Sequence, residues 1–342
     1  MVSKTNKMHE NLISIIIPFK NTERYIQQCL DSILNQSYLN WEAIFVDDHS
    51  DDTSYTIVEK FSENDDRIQL YNNKHKGIIS ALQTAFSYCK GTYITRMDSD
   101  DIMTKNRLEV MLNSLLKHGK HHLAVGQVKY FRTDGISNGY ARYERWLNEL
   151  TEKGNNYSEI YKECVIPSPC WMLHRDDFIA CEGFEPNRYP EDYDLTFRFY
   201  RAKYKCIPCD KVLLLWRDYS TRTSRTHEHY AINYFLDIKV HYFLELDYDK
   251  NRPLAIWGAG NKGKTVAKLL IKNDIPFHWI CDNEKKIGKD IYGQKLLNFK
   301  YLEQLNQPQS IITVANEDEQ KNIKRFFKKQ KMQSMTDYFF FC

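Results

Sequence analysis

Ile13-Ser14-Ile15-Ile16-Ile17-Pro18-Phe19-Lys20-Asn21 is the stretch whose reading decides the fold. Four isoleucines within five positions make a β-branched run that reads as a strand. Directly after it Tyr25, Ile26, Cys29, Leu30, Ile33 and Leu34 recur at helical spacing. The pair then repeats: strand signals at 42–46, 68–71 and 92–97 are each followed by helical ones at 53–61, 78–89 and 106–118. Four strand–helix units in succession predict an α/β fold, a doubly wound and mostly parallel sheet covered by helices.

Past residue 120 the rhythm changes. Strands are expected at 124–131, 170–174 and 212–216 and helices at 140–152 and 195–201, while Ala231, Phe235, Ile238 and Tyr242 mark one further helix face. The polar run 247–252 with Pro253 reads as a linker, and a second strand–helix pattern opens at Leu254. The expected domains are therefore 1–250 and 251–342, which suits a length of 342 residues at roughly 150 per domain.

Composition narrows the classes. Hydrophobic residues at 42 % and charged ones at 27 % exclude general disorder. A mean hydropathy of −0.61 and the lack of any apolar run near the roughly 18 residues a bilayer needs exclude a transmembrane helix. The polar first twelve residues show no signal peptide, so a soluble, intracellular chain is expected. Residues 251–342 hold 16 Lys+Arg against 9 Asp+Glu, a net +7, whereas the remainder is −4. A basic tail on a mildly acidic body suits an anionic small ligand, a membrane surface touched peripherally or a partner protein, and no nucleic-acid-binding motif accompanies it. Nine cysteines without a secretory signal read as free thiols. Cys206-Ile207-Pro208-Cys209 has the spacing of a zinc or redox pair. With no second such pair nearby, two packed cysteines entering a strand is the expected reading.

Polar clusters follow three of the early strands: Asn21, then Asp47-Asp48-His49-Ser50, then Asp98-Ser99-Asp100-Asp101. Parallel strands gather such clusters on one edge, where open α/β sheets bind ligands. Asp98 and Asp100 present hard oxygen ligands, the donor type that selects Mg²⁺ or Mn²⁺ with a phosphate-bearing substrate. Asp51-Asp52 and Asp65-Asp66 lack that position and read as a helix start and a loop.

Residues 15–21, 32–38, 46–53 and 91–101 together resemble the opening of family-2 glycosyltransferases in order and spacing. The resemblance implies a nucleotide-sugar fold of the A type, inverting transfer and a divalent metal held by the Asp-x-Asp motif. It implies nucleotide-sugar binding by 1–120 and an acceptor side at 121–250. Residue by residue, Asp48 is to read the base, usually uracil, while Pro18, Phe19 and Asn21 line the nucleotide pocket. Asp100 becomes the principal metal ligand with Asp98 beside it. Lys20 stands where the family often has an aromatic ring, so a cation replaces base stacking there. Tyr189-Pro190-Glu191-Asp192 resembles the family's Glu-Asp motif, which implies Asp192 as the base for the acceptor hydroxyl with Glu191 beside it. Helix capping is the bland alternative for both acids. The run 216–226 resembles the segment that follows. It implies Arg217 or Arg225 on the diphosphate and His227 or His229 as a further metal ligand. Trp146, Trp171 and Tyr193 are sugar-stacking residues at most, with core packing the ordinary role.

In the tail, a strand at 254–257 runs into Gly258-Ala259-Gly260-Asn261-Lys262-Gly263 and a helix, and a second strand ends at Asp282. That is the dinucleotide-binding fingerprint in its expected setting, so Gly258, Gly260, Gly263 and Asp282 form a second nucleotide site unless the glycines serve packing alone. The family resemblance thus implies a metal-dependent inverting transferase using Mn²⁺ or Mg²⁺. It is expected to move a sugar from a nucleotide-diphosphate donor, UDP-linked, to a glycan or lipid-linked acceptor in cell-surface polysaccharide assembly. The rivals are an NAD-dependent oxidoreductase working through the tail, a non-catalytic transferase-like binding protein, and a nucleotidyl transferase.

Overall fold

The computed structural model describes residues 11–132, 135–222 and 235–342. The isoleucine run forms β1 (Ile13–Phe19), buried at every position. It pairs in parallel with β2 (Trp41–Asp47) on one side and β4 (Tyr93–Arg96) on the other, and β2 pairs in parallel with β3 (Ile68–Asn72). Helices α1 (Ile26–Leu34), α2 (Ser54–Ser62) and α3 (Ile78–Tyr88) connect these strands, and α4 (Arg107–His118) follows β4 after the short β5 (Ile102–Met103). Both faces of the central strands are covered, which is why β1 and β2 are buried along their whole length instead of alternating. Ile15, Ile17, Trp41, Phe45, Leu112 and Leu214 belong to the core on one face.

The altered rhythm after residue 120 reflects a reversal of strand direction. β7 (Trp171–His174) lies antiparallel to β4 and to β6 (His122–Phe131), while β8 (Lys205–Arg217) runs parallel to β6 and antiparallel to β5. The sheet has eight strands in the order β3-β2-β1-β4-β7-β6-β8-β5. β8 is far longer than the expected 212–216 because it pairs with β6 along its length, with register shifts at Gly126–Val128. Cys206 and Cys209 lie within that strand as free thiols. Cys209 is buried in that strand and Cys206 partly so. The remaining helices of this part are α5 (Asn138–Lys153), α6 (Arg175–Ala180) and α7 (Glu191–Arg201).

The chain divides at different points from those expected. Of the described residues, those up to Asn156 and Val165–Ser220 form one compact unit; Tyr157–Cys164 and those from Thr221 onward form another. In the second unit α8 (Leu236–Leu246) precedes β9 (Leu254–Trp257) and α9 (Asn261–Lys272). Its sheet continues with β10 (His278–Cys281), the hairpin β11 (Asp290–Ile291) and β12 (Gln294–Asn298), β13 (Gln309–Ile312) and β14 (Tyr338–Phe340), and α10 (Glu317–Lys329) lies between the last two. The strand order is β11-β12-β10-β9-β13-β14, parallel apart from the hairpin. Ring stacking explains why residues 157–164 belong here: Tyr161 stacks on Phe341 at 5.2 Å and meets Phe243 of α8 edge-on. The expected linker is not loose chain either, since Arg252 donates to the carbonyls of Gln307 and Pro308 and pairs with Asp337 at 2.6 Å.

Candidate active site

The register sets the strand ends side by side, with Phe19 opposite Asp47 and Ile16 opposite Arg96. Asp47 and Asp48 then take different tasks. Asp47 accepts the Ser50 N–H at 3.1 Å and closes the turn in which His49 adopts a left-handed φ of 60°. Asp48 donates its N–H to the Phe19 carbonyl, and its Oδ1 accepts from Asn73 Nδ2 at 2.8 Å and from the Gly77 N–H at 2.9 Å. Asp48 is thus a buried carboxylate held by the loop between β3 and α3. Asn21, also left-handed with φ 52°, accepts the Asp51 N–H through its Oδ1. Pro18 is buried within β1. Phe19 corrects its expected role: the ring is 2 % exposed and packs on Phe45 in the core, so the residue meets this region through its carbonyl.

The Asp-x-Asp turn is tied to β8. Arg217 donates its N–H to buried Asp101 at 2.7 Å and its Nε to the Asp100 carbonyl at 2.6 Å. Its Nη2 bonds Gln28, and the guanidinium packs against the Tyr25 and Phe131 rings. Arg217, expected on the diphosphate, is thereby engaged in holding the turn. Tyr219 donates its hydroxyl to Asp100 Oδ2 at 2.9 Å. Arg225, His227 and His229 lie outside the described residues.

Arg96, at the end of β4, joins the two acidic motifs. Its Nε meets Asp98 Oδ1 at 2.9 Å and its Nη1 meets Glu191 Oε1 at 3.0 Å. Burial would lower the guanidinium pKa, yet Asp98, Glu191 and Asp192 together hold it well above the ordinary value. Glu191 and Asp192 open α7. Burial pushes the Asp192 carboxyl up from the usual carboxylate value to about 7, and the Glu191 charge adds to the rise; Arg96 and the Tyr193 N–H oppose it. A group that gives up its proton near neutrality suits a general base. A cavity of about 450 Å³ is lined by His75, Gly77, Ser80, Gln83, Asn187 and Tyr189, on the α3 side of the loop that holds Asp48. Trp171 and Tyr193 are core residues at 2 % and 1 % exposure. The half-exposed Trp146 packs on Tyr143.

Sequence reasoning did not single out Asn73, Gly77, Arg96 or Tyr219. Arg96 alone carried a signal, a charge at a strand position otherwise filled by Tyr93, Ile94 and Thr95. In the second unit the fingerprint glycines separate by role. Gly258 has φ 121° and an added Cβ would stand 2.6 Å from Thr313 Oγ1, while at Gly263 it would stand 2.1 Å from the Gly258 carbonyl. Those two are packing requirements; above Gly260 there is open space. Asp282 is exposed past the end of β10.

Residues 14–181 match the family model described as Glycosyl transferase family 2. The chain is 41 % identical over 195 residues to the UDP-Glc:alpha-D-GlcNAc-diphosphoundecaprenol beta-1,3-glucosyltransferase WfgD of Escherichia coli, covering 55 % of this chain and 69 % of that one. It is 28 % identical to glycosyltransferase GlyA of Streptococcus pneumoniae serotype 4 but spans only 31 % of that protein's length. Among solved structures, S. aureus TarS 1-349 with UDP-GlcNAc superposes with a TM-score of 0.54 at 18 % identity, covering 75 % of this chain and 71 % of that one. The mannosyltransferase PcManGT of Pyrobaculum calidifontis, with GDP-Man and Mn²⁺, does so at 0.50 and 17 % identity, covering 76 % and 69 %. At these identities the two structures share the fold.

Proposed function

Because the chain belongs to glycosyl transferase family 2 and is a glycosyltransferase, we propose that it transfers a sugar with inversion from a UDP-linked donor to an acceptor hydroxyl. Asp48 reads the base, with Pro18 and Asn21 around the nucleotide. Asp192 takes the proton of the acceptor hydroxyl, which is a poor nucleophile until that proton is accepted. The transition state is oxocarbenium-like, as in glycoside hydrolysis. Asp98 and Asp100 fit Mn²⁺ or Mg²⁺, since both are hard oxygen donors and such ions complete their shell from waters and substrate phosphate. Asp98 Oδ1 accepts from Arg96 and Asp100 Oδ2 from Tyr219, so both carboxylates are held in place at the turn. An ion bound there supplies charge neutralisation to the departing diphosphate. PcManGT, similar in fold, is a complex with GDP-Man and Mn²⁺, which supports the use of a divalent metal.

The observation that carries the reading is the meeting of both acidic motifs on one buried arginine, Arg96, with Glu191 lying 95 residues beyond it in sequence. WfgD, by its name, uses UDP-Glc and a diphosphoundecaprenol-linked GlcNAc. We extend that class here: a glycan or lipid-linked acceptor in polysaccharide assembly, met in the cytoplasm at the membrane face. No helix among the described residues is long and apolar enough to cross a membrane, and the basic tail supplies the peripheral contact. The second unit is proposed to bind a nucleotide phosphate at Gly260 between Gly258 and Gly263, near Asp282. The space above Gly260 supports that, and a thermal-shift screen with nucleotides tests it.

The main test is Asp192→Asn. Transfer is expected to be lost while calorimetry with Mn²⁺ still shows UDP-sugar binding. Full activity in that variant removes the base assignment.

A further inference from the structure

We infer that Arg96 is a positioning residue that fixes the base relative to the donor-holding turn, with Glu191 as its handle. The inference rests on the reading of Asp98 and Asp192 given above. Arg96 closes a strand buried at all four positions and is itself 6 % exposed. A guanidinium so placed is tolerable only when its charge and donors are matched. Two carboxylates from separate parts of the chain do this, Asp98 at 2.9 Å and Glu191 at 3.0 Å. The planar fork directs its donors along fixed lines, so the two acids are held at a set separation that a flexible ammonium does not define.

The strand end is fixed from behind as well. Arg107, fully buried, donates Nη2 to Thr95 Oγ1 at 3.0 Å and to the Arg96 carbonyl at 2.9 Å. Thr95 in turn donates to the Trp171 carbonyl at 2.5 Å. Arg96 is therefore a rigid strut. Since Glu191 is the first residue of α7 and Asp192 the second, holding the Glu191 carboxylate sets the start of that helix. The two acids, expected as a catalytic pair, thus divide: Glu191 is committed to Arg96 and Asp192 remains to meet the acceptor.

The test compares Arg96→Met, Arg96→Lys, Glu191→Gln and the Arg96→Met/Glu191→Gln double variant. Measured for each are kcat and KM for transfer, acceptor-independent hydrolysis of the UDP-sugar, the pH profile of kcat, and Tm. Arg96→Met is expected to lower kcat about 100-fold, the scale of a misplacement near 1 Å, with donor KM rising less than about tenfold. Its acid limb moves to higher pH, because a cation beside Asp192 is gone. Arg96→Lys restores the limb but only part of kcat. The double variant is no slower than Arg96→Met alone, since both changes break one linkage. Should Arg96→Met not fold, Arg96→Lys and Glu191→Gln carry the same comparison. Additive losses with an unmoved limb, or kcat falling only as Tm falls, overturn the inference in favour of a structural role. Full activity in Asp192→Asn removes the underlying function instead, whatever Arg96 does.

Discussion

Replacing Asp192 by Asn should make the protein more stable while it ruins transfer, and the stability gain should depend on pH. The carboxyl rises from about 3.8 in ordinary surroundings to about 7, chiefly through burial. The native state therefore holds this proton more tightly than the unfolded chain does. For such a group stability is greatest below the unfolded value and declines as pH climbs through 4 to 7, by about 1.4 kcal/mol per unit. The full span gives an upper bound of roughly 4 kcal/mol above pH 7. Arg96, which opposes the rise, loses some of its pairing when Asp192 becomes neutral, so about 1–2 kcal/mol is the expected gain for Asn at pH 8. At pH 4 the two proteins should be nearly equal. Calorimetric unfolding of both across pH 4 to 8 measures the difference directly. In activity, the base is ionised to about a tenth at pH 6, so transfer by the unaltered enzyme should fall about tenfold from its plateau. A stability difference between the two proteins that does not change with pH refutes the burial argument, whatever the kinetics show.

Three further outcomes follow from the site and the tail. Asn73→Ala removes the side-chain donor to Asp48 and should weaken UDP binding about tenfold by titration calorimetry, with a stability loss of about 1.5–3 kcal/mol in urea. Arg217→Ala frees the Asp100 carbonyl, Gln28 and the Asp98–Asp101 turn, and the Mn²⁺-dependent part of donor affinity should drop at least about tenfold. Unchanged metal dependence would return Arg217 to a purely structural place. Gly263→Ala puts a methyl 2.1 Å from the Gly258 carbonyl and should destabilise the second unit by on the order of 3 kcal/mol in denaturant unfolding. Wild-type stability there would mean that the turn relaxes freely.

Much of the first half of the molecule was legible because its signals are local. β-branched runs and helical spacing predict β1 to β4 and their helices within a few residues, and position at a strand end sets Asp98 and Asp100 apart from Asp52 and Asp65. Asp52 accepts the Ser54 N–H at the start of α2, and Asp65 pairs with Arg67 at 2.7 Å. The likeness to family 2 supplied Asp48, Asp98, Asp100 and Asp192 as candidates. Phe19 shows the limit of that transfer, because position in a motif does not say which way a ring points.

What only the tertiary structure decided is how distant pieces share one place. Nothing near residue 171 announces that β7 runs against β4, and nothing near Tyr161 says that its ring belongs with Phe341. Arg96 reads in sequence as an oddity in a strand; its meaning lies in Glu191, 95 residues on. Periodicity follows from the geometry of neighbouring residues and is written wherever the chain is read. The partner of a buried charge follows from which elements pack together, and that is a property of the folded whole.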